Sequence, residues 1–496
     1  MTLEEAKRAY LDVREKTNAL GLCFYLSSLD QETEGAPRAS LDYRTRQLSV
    51  IDGMMYDMTT SPEYGEAVSV IAREEKEDPD LAHEAEVAYL RMQDLSRVPK
   101  EEYLAYSELL QRAYPAYVEA KLSSDFASFL PYLEGIFRYN RKYAEWVAKD
   151  GLFGYDVHLD TYEKGYTEAE YDRFFSLLRA KLVPLIARLS EEVPPLPEFA
   201  TRHYPREGQK AFCRYLGEVM CFDPDRTAML ESEHPFTTGN GSHDVRITNH
   251  YYEDNFVSSI FSAIHEMGHG LYELGVADKF EGTGNTGGAS LALHESQSRL
   301  WENMIGRSLA FWETHFPKLK EIFPEQLEGV TAEEFYRFVN RVEPSLIRTE
   351  ADEVTYSVHV MIRYELEKAV MRGELEAADI PAAWNAKYKE YLGVVPPSDR
   401  EGCLQDMHWA GGSLGYFPTY SLGSAYAAQI MAAMKRDLDV DAAIRENRLC
   451  DVVEWLRAHL HTYGASRYPK ELLRIATGED FDPSYYVDYL LEKYGR

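Results

Sequence analysis

The stretch Ile260-Phe-Ser-Ala-Ile-His-Glu-Met-Gly-His-Gly270 decides how the rest of this chain is read. It holds His265, Glu266 and His269 in an H-E-x-x-H pattern. Successive residues of an α-helix turn by about 100°, so two histidines four apart lie about 40° from each other, on one face. Imidazoles placed that way can share one metal ion. Glu266 lies further round, badly placed to ligate but within reach of water that such an ion activates. A carboxylate there is a general base. Ile260, Phe261, Ile264 and Leu271 flank the motif, which predicts a buried helix rather than a surface helix that merely carries two histidines. Gly268 and Gly270 each cost about 1 kcal/mol inside a helix. Close approach of a neighbouring element is therefore expected at both.

A catalytic zinc site needs a third protein ligand and an open fourth position. Leu291-Ala-Leu-His-Glu-Ser-Gln-Ser-Arg-Leu-Trp-Glu302 supplies a candidate in Glu295, on a stretch whose Leu291 and Leu300 mark a second helix. The glycine-rich segment Gly282-Thr-Gly-Asn-Thr-Gly-Gly288 lies between the two, with room to turn the chain back so that the helices pack side by side. In the competing reading Glu295 only pairs with Arg299, four residues on.

Composition narrows the function classes. At 496 residues, length alone would suggest about three domains. Helical signals run throughout, however, with no internal repeat or low-complexity linker, so one large helical unit of two lobes is expected. Capping boxes are predicted at Thr2 with Glu5, Thr167 with Glu170, and Thr331 with Glu334, each ahead of an apolar stripe. The net charge of −30 argues against nucleic acid and anionic membranes as partners. The aromatic content, 36 Tyr and 21 Phe, excludes a disordered acidic chain. Cys23, Cys213, Cys221, Cys403 and Cys450 are scattered, with no C-x-x-C pair. Neither a disulfide framework nor a structural zinc cluster is expected, a reducing and hence cytoplasmic location fits, and Cys403 reads as a packed thiol. The charged Met1–Arg8 segment does not read as a signal peptide. Met407 to Met434 lacks charged residues but contains His408, Pro418 and four glycines. It is a poor membrane span and reads as lining near a cleft.

The clearest strand signal is His243-Asp-Val-Arg-Ile-Thr248, where Val245 and Ile247 alternate with Asp244, Arg246 and Thr248. It is expected to be an edge strand able to pair with an extended peptide, or else a plain surface strand.

Six motifs in order, His234-Pro-Phe236, Asp244-Val-Arg-Ile-Thr248, His265-Glu-Met-Gly-His269, His294-Glu-Ser-Gln297, Ile347-Arg-Thr-Glu-Ala-Asp352 and Gly402-Cys-Leu-Gln-Asp-Met-His-Trp409, make the chain resemble the carboxypeptidase Taq family of zinc-dependent metallocarboxypeptidases. The N-terminal third is also similar, around Leu122–Phe129 and Tyr155–Gly165, so the resemblance spans the whole chain. It implies a mainly α, two-lobed, gluzincin-like fold with a deep central groove and a small β-sheet near the active site. It implies one metallocarboxypeptidase domain over residues 1–496, with 1–200 a mainly helical lobe and groove wall and 201–496 the catalytic part carrying all six motifs. The implied partners are peptides with a free C-terminus, shortened one residue at a time with broad specificity, and a second copy of the chain in a homodimer. The implied cofactor is zinc, with cobalt often accepted, held by His265, His269 and Glu295, with Glu266 as proton acceptor and donor.

An exopeptidase of this kind must recognise a terminal carboxylate, which the planar fork of arginine does best. Arg348, inside the Ile-Arg motif, is the leading candidate and Arg246 the second; the alternatives are structural ion pairs with Asp352 and Asp244. Donors to transition-state charge are sought in Tyr420, His234 and His408. Asp244, His294, Asp352, Gln405, Asp406 and His408 are expected to hold other site residues in place or to complete a motif. Competing functions on the same zinc chemistry are an endopeptidase or a dipeptide-releasing carboxypeptidase. A helical binding protein with a vestigial metal site is a further alternative, but it would have no use for Glu266.

Overall fold

The computed structural model describes residues 1–33, 35–149, 151–191 and 193–495. Among them are twenty α-helices and one three-stranded sheet. All three capping boxes form, with the threonine and glutamate side chains answering each other's backbone N–H groups. Behind two of them the apolar stripes are buried: Tyr171, Phe174, Phe175 and Leu178 follow one box, and Phe335 and Val339 follow another.

Apolar side chains gather in two cores. A small one, with Ala6, Tyr10, Val68, Ile71 and Ala85 among its members, is built from the N-terminal helices Leu3–Glu32, Pro62–Glu74 and Pro79–Arg97. The large one runs from Val98 to Leu490 and encloses the H-E-x-x-H helix, Phe256–Gly275. No helix among the described residues is long and apolar enough to cross a membrane. The uncharged Met407–Met434 stretch owes its composition to packing: it supplies most of the helix Pro418–Asp437, nearly all of it buried against the helix that carries Glu295.

The strands are β1 (Thr227–Glu231), β2 (Thr237–Gly239) and β3 (Val245–Asn249), in spatial order β1-β3-β2. β3 pairs in parallel with β1 and antiparallel with β2. The strand expected at an edge is therefore central, with both rows of backbone groups occupied. Its alternation marked a two-sided strand with Val245 and Ile247 in the core, and alternation cannot tell a central strand from an edge one. The free edge nearest the H-E-x-x-H helix belongs to β2.

The cysteines also need correction. Cys221 and Cys450 form a disulfide, with Cα atoms 5.7 Å apart across 229 residues of sequence. Cys213 and Cys403 are buried thiols and Cys23 an exposed one. Scattered spacing gave no hint of the pair, because only the fold brings the end of helix Arg206–Val219 to the start of helix Leu449–His459.

Candidate metal centre

Two helices frame the site, and their glycines explain how closely they meet. A Cβ at Gly268 would lie 2.8 Å from the backbone of Gln297 and Ser298, and one at Gly270 would lie 2.7 Å from Phe222. The helix Phe256–Gly275 therefore packs directly on the backbone of the helix Leu291–Arg299. The second helix starts at Ser290, whose hydroxyl accepts from Leu293 N at 3.1 Å. The buried carboxyl of Glu163 takes Ala292 N at 3.2 Å and Ser290 Oγ at 3.0 Å, so a residue far back in the chain caps the helix that presents Glu295. On its other side, a Cβ at Gly423 would lie 2.6 Å from Glu295 Cβ.

His265, His269 and Glu295 come together, with one potential ligand atom from each within 4.8 Å of the others. His265 Nε2 is 3.7 Å and His269 Nε2 3.5 Å from Glu295 Oε2. Four-coordinate zinc with bonds of about 2.0–2.2 Å requires ligands roughly 3.4 Å apart, close to these separations. Hydrogen bonding fixes which atoms are bare. His265 Nδ1 is 2.9 Å from Glu302 Oε2, a carboxylate that can only accept, so the proton sits on Nδ1 and Nε2 keeps its lone pair. His294 Nε2 donates to Glu273 Oε1 at 2.7 Å, which leaves His294 Nδ1 to accept from His269 Nδ1, also at 2.7 Å. His269 Nε2 is therefore bare as well. Two imidazole lone pairs and a carboxylate oxygen thus face one point, an arrangement that repels itself unless a cation lies between them. These residues fit a divalent ion.

The pairing of Glu295 with Arg299 is present, and it leaves the other carboxylate oxygen turned to the histidines. Oε2 faces the histidines, while Oε1 accepts from Arg299 Nε at 2.6 Å. Burial works to raise the Glu295 pKa, but the Arg299 guanidinium outweighs it and holds the carboxylate ionised, well below its ordinary range. Glu302 is held low in the same way, chiefly by Arg299, with Arg307 on its other oxygen at 3.2 Å. Residues Leu300–Ile305 form a π-helix, which widens the turn that carries Glu302. Glu266 is only 7% exposed, and Thr237 Oγ1 of β2 donates to its Oε2 at 2.6 Å.

A second charged cluster lies beside the first. Arg348, 6% exposed, directs Nε and Nη2 to Asp406 Oδ1 at 3.1 and 2.9 Å, and Nη1 to the Tyr356 hydroxyl at 3.1 Å. Arg363, fully buried, takes Asp406 Oδ2 through Nε at 2.6 Å. Gln405 Oε1 accepts from Arg348 N and Arg363 Nη2. Two guanidiniums against one carboxylate leave an excess positive charge, and they hold Asp406 far below its usual range against the upward push of burial. The Arg299 guanidinium lies 4.2 Å from the Tyr356 ring centre, so one tyrosine links this cluster to the Glu295 side of the metal site. Tyr420 stacks 4.9 Å from the Arg348 guanidinium, and its hydroxyl is 3.4 Å from His408 Nε2. Burial pushes His408 down to about 4, so its ring is neutral near pH 7.

The partner supposed for Arg348, Asp352, instead caps the helix Glu353–Met371, accepting from Val354 N and Thr355 N. Arg246 does pair with Asp244, through two bonds of 2.7 and 2.9 Å. His234 is exposed. Sequence reasoning did not single out Glu302, Glu273, Thr237 or Arg363. Glu302 lies seven residues after Glu295 and Glu273 four after His269, so helical spacing could have revealed both. Thr237 gave no signal, since only the sheet brings it to Glu266.

A helical fold that sets a His, His, Glu cluster around bare lone pairs, with a further carboxylate alongside, is an arrangement suited to metal-dependent hydrolysis. The chain belongs to the carboxypeptidase Taq (M32) metallopeptidase family, whose model matches residues 12–494. It is a peptide hydrolase, and membership of a metallopeptidase family implies a divalent metal. It is 35% identical over 498 residues to carboxypeptidase 1 of Bacillus subtilis, covering 100% of this chain and 99% of that protein. It is 37% identical to thermostable carboxypeptidase 1 of Thermus thermophilus, again covering 100% and 99%. The crystal structure of the M32 carboxypeptidase from Deinococcus radiodurans superposes with a TM-score of 0.92 at 35% identity, covering 98% of this chain and 99% of that one.

Proposed function

We propose that this chain is a zinc carboxypeptidase that removes single residues from peptide C-termini with broad specificity, working as one domain over its full length. The observation that carries the reading is the excess positive charge of Arg348 and Arg363 over Asp406, buried and joined through Tyr356 and Arg299 to Glu295. A terminal carboxylate supplies the missing negative charge. Arg246 is a weaker receptor because its pair with Asp244 is balanced, one guanidinium against one carboxylate.

His265, His269 and Glu295 hold the ion. Bound there, a divalent metal supplies Lewis acidity, polarising the scissile carbonyl and acidifying water. Arg348 binds the substrate carboxylate and fixes which peptide bond lies at the site. Glu266 takes the proton of the attacking water and passes it to the leaving amine, while Thr237 steadies the other carboxylate oxygen. Tyr420 donates its phenolic hydrogen to the developing oxyanion, and His408, neutral and 3.4 Å away, orients that hydroxyl. Cobalt in place of zinc and a homodimer complete the proposal, on family resemblance; the cytoplasmic location, expected from the absence of a disulfide, loses that ground with the Cys221–Cys450 bond.

Mass spectrometry of a digest tests the reaction. A ladder of single C-terminal losses, abolished by a chelator and by C-terminal amidation of the peptide, is the expected result. Internal fragments would favour an endopeptidase, and two-residue steps a dipeptide-releasing carboxypeptidase. Arg348→Ala should raise KM for free-acid peptides; unchanged cleavage would move the carboxylate site to Arg246.

A further inference from the structure

The glycine-rich loop is held from both ends. On one side it meets the N-terminal helices, which have their own small core. Glu84, buried among those helices, accepts from Gly284 N at 2.5 Å and from Arg14 Nη1 at 3.0 Å. Asn18 Nδ2 donates to Gly282 O at 2.7 Å, and Asn285 Nδ2 donates to Asp80 O at 2.9 Å. At its far end Gly288 N donates to Glu273 Oε1 at 3.3 Å, the same oxygen that takes His294 Nε2. His294 in turn fixes the ring of His269.

No side chain fits on the loop at either contact. A Cβ at Gly284 would lie 2.9 Å from Glu84 Cγ, and one at Gly288 would lie 2.6 Å from His294 Cδ2. Gly287 adopts φ +84°, a left-handed conformation that glycine enters freely. The loop thus runs from Glu84 at Gly284 to the Glu273–His294 pair at Gly288.

We propose that Glu84 is a positioning residue for the metal site. From the N-terminal helices it fixes the Gly282–Gly288 loop, and through Glu273 and His294 it sets the ring of His269. The inference rests on His269 being a metal ligand. It makes the N-terminal helices part of the metal site's framework, although none of their residues is a candidate ligand.

The test is zinc affinity of the full-length protein, measured by competition with a chromophoric chelator, beside the visible spectrum of the cobalt-loaded protein, which reports ligand geometry. Glu84→Ala is expected to weaken zinc binding about 3- to 30-fold and to shift the cobalt bands. Glu84→Gln, which keeps an acceptor for Gly284 N, should recover most of the loss. Glu75→Ala is the control: it removes a buried partner of Lys7 within the same helices and leaves the loop contacts alone. It should lower stability without moving zinc affinity. In a Glu273→Gln background, Glu84→Ala should add less than about twofold, because the two act in series.

The proposal is overturned if folded Glu84→Ala binds zinc within twofold of wild type, if Glu75→Ala weakens binding as much, or if the two losses multiply. Failure of the underlying metal assignment looks different, because His269→Ala would then bind zinc as wild type does.

Discussion

Replacing Glu302 with glutamine should loosen the metal while leaving the catalytic groups in place. Its carboxylate takes three contacts: His265 Nδ1 at 2.9 Å, Arg299 Nη1 at 3.2 Å and Arg307 Nη2 at 3.2 Å. Glutamine matches its shape and can still accept from His265, but its amide carries no charge and presents N–H groups to one of the arginines. Two effects follow. The His265 ring loses the anion that fixes its tautomer and raises its basicity, and losses of this kind cost about 10- to 100-fold in metal affinity, or about 1.4–2.8 kcal/mol. Arg307 also loses its buried counter-charge, and breaking such a pair from one side costs up to about 3–5 kcal/mol of fold stability. Arg299 keeps Glu295, so the upper end of that range is not expected. The assay is zinc competition against a chromophoric chelator, with kcat measured at saturating zinc. Zinc Kd should rise 10- to 100-fold, while kcat at saturation stays within about threefold, since Glu302 touches no reacting atom. A folded Glu302→Gln protein with unchanged Kd would refute the claim that this carboxylate sets the ligand imidazole.

Thr237→Val removes the donor to Glu266 Oε2 and should lower kcat about tenfold while sparing zinc affinity; weakened metal binding would show that the threonine supports the ligands instead. Burial raises the Glu163 carboxyl from 4.5 to about 8. The native chain then holds more protons than the unfolded chain between those values, so stability falls as pH rises through that window, by up to about 5 kcal/mol. Glu163→Gln should remove this slope, so the variant gains on wild type in denaturant titrations from pH 5 to pH 8; a constant gap would mean that the buried carboxyl titrates normally. The Cys221–Cys450 bond closes a loop of 229 residues. Cys450→Ser should lower stability by up to about 5 kcal/mol on loop-closure entropy, and the unfolded, unreduced protein should show three reactive thiols. Five would refute the pairing.

What the sequence revealed depends on how far the information had to travel along the chain. The capping boxes at Thr2, Thr167 and Thr331 are local and could be read directly. Gly268 and Gly270 announced close contacts because glycine inside a helix needs a reason, and both contacts are present. The convergence of Glu295 on His265 and His269 followed from helical spacing and a loop long enough to reverse the chain. The Arg348–Asp406–Arg363 cluster was only half visible. Residues 348 and 406 lay in noted motifs, but Arg363, on a wholly buried face, carried no pattern to mark it as charged machinery. Thr237 beside Glu266, the central place of β3 and the Cys221–Cys450 bond all depend on chain crossings that no periodicity records.

The ligand helix is wedged between two glycines of its neighbours, Gly268 on one side and Gly423 directly against Glu295 on the other. Backbone contact, more than rotamer choice, sets the bite of the chelate. With His265, His269 and Glu295 as ligands, a frame of this kind would keep its aperture without the ion, and stripping and reloading would then exchange the ion without remodelling the polypeptide.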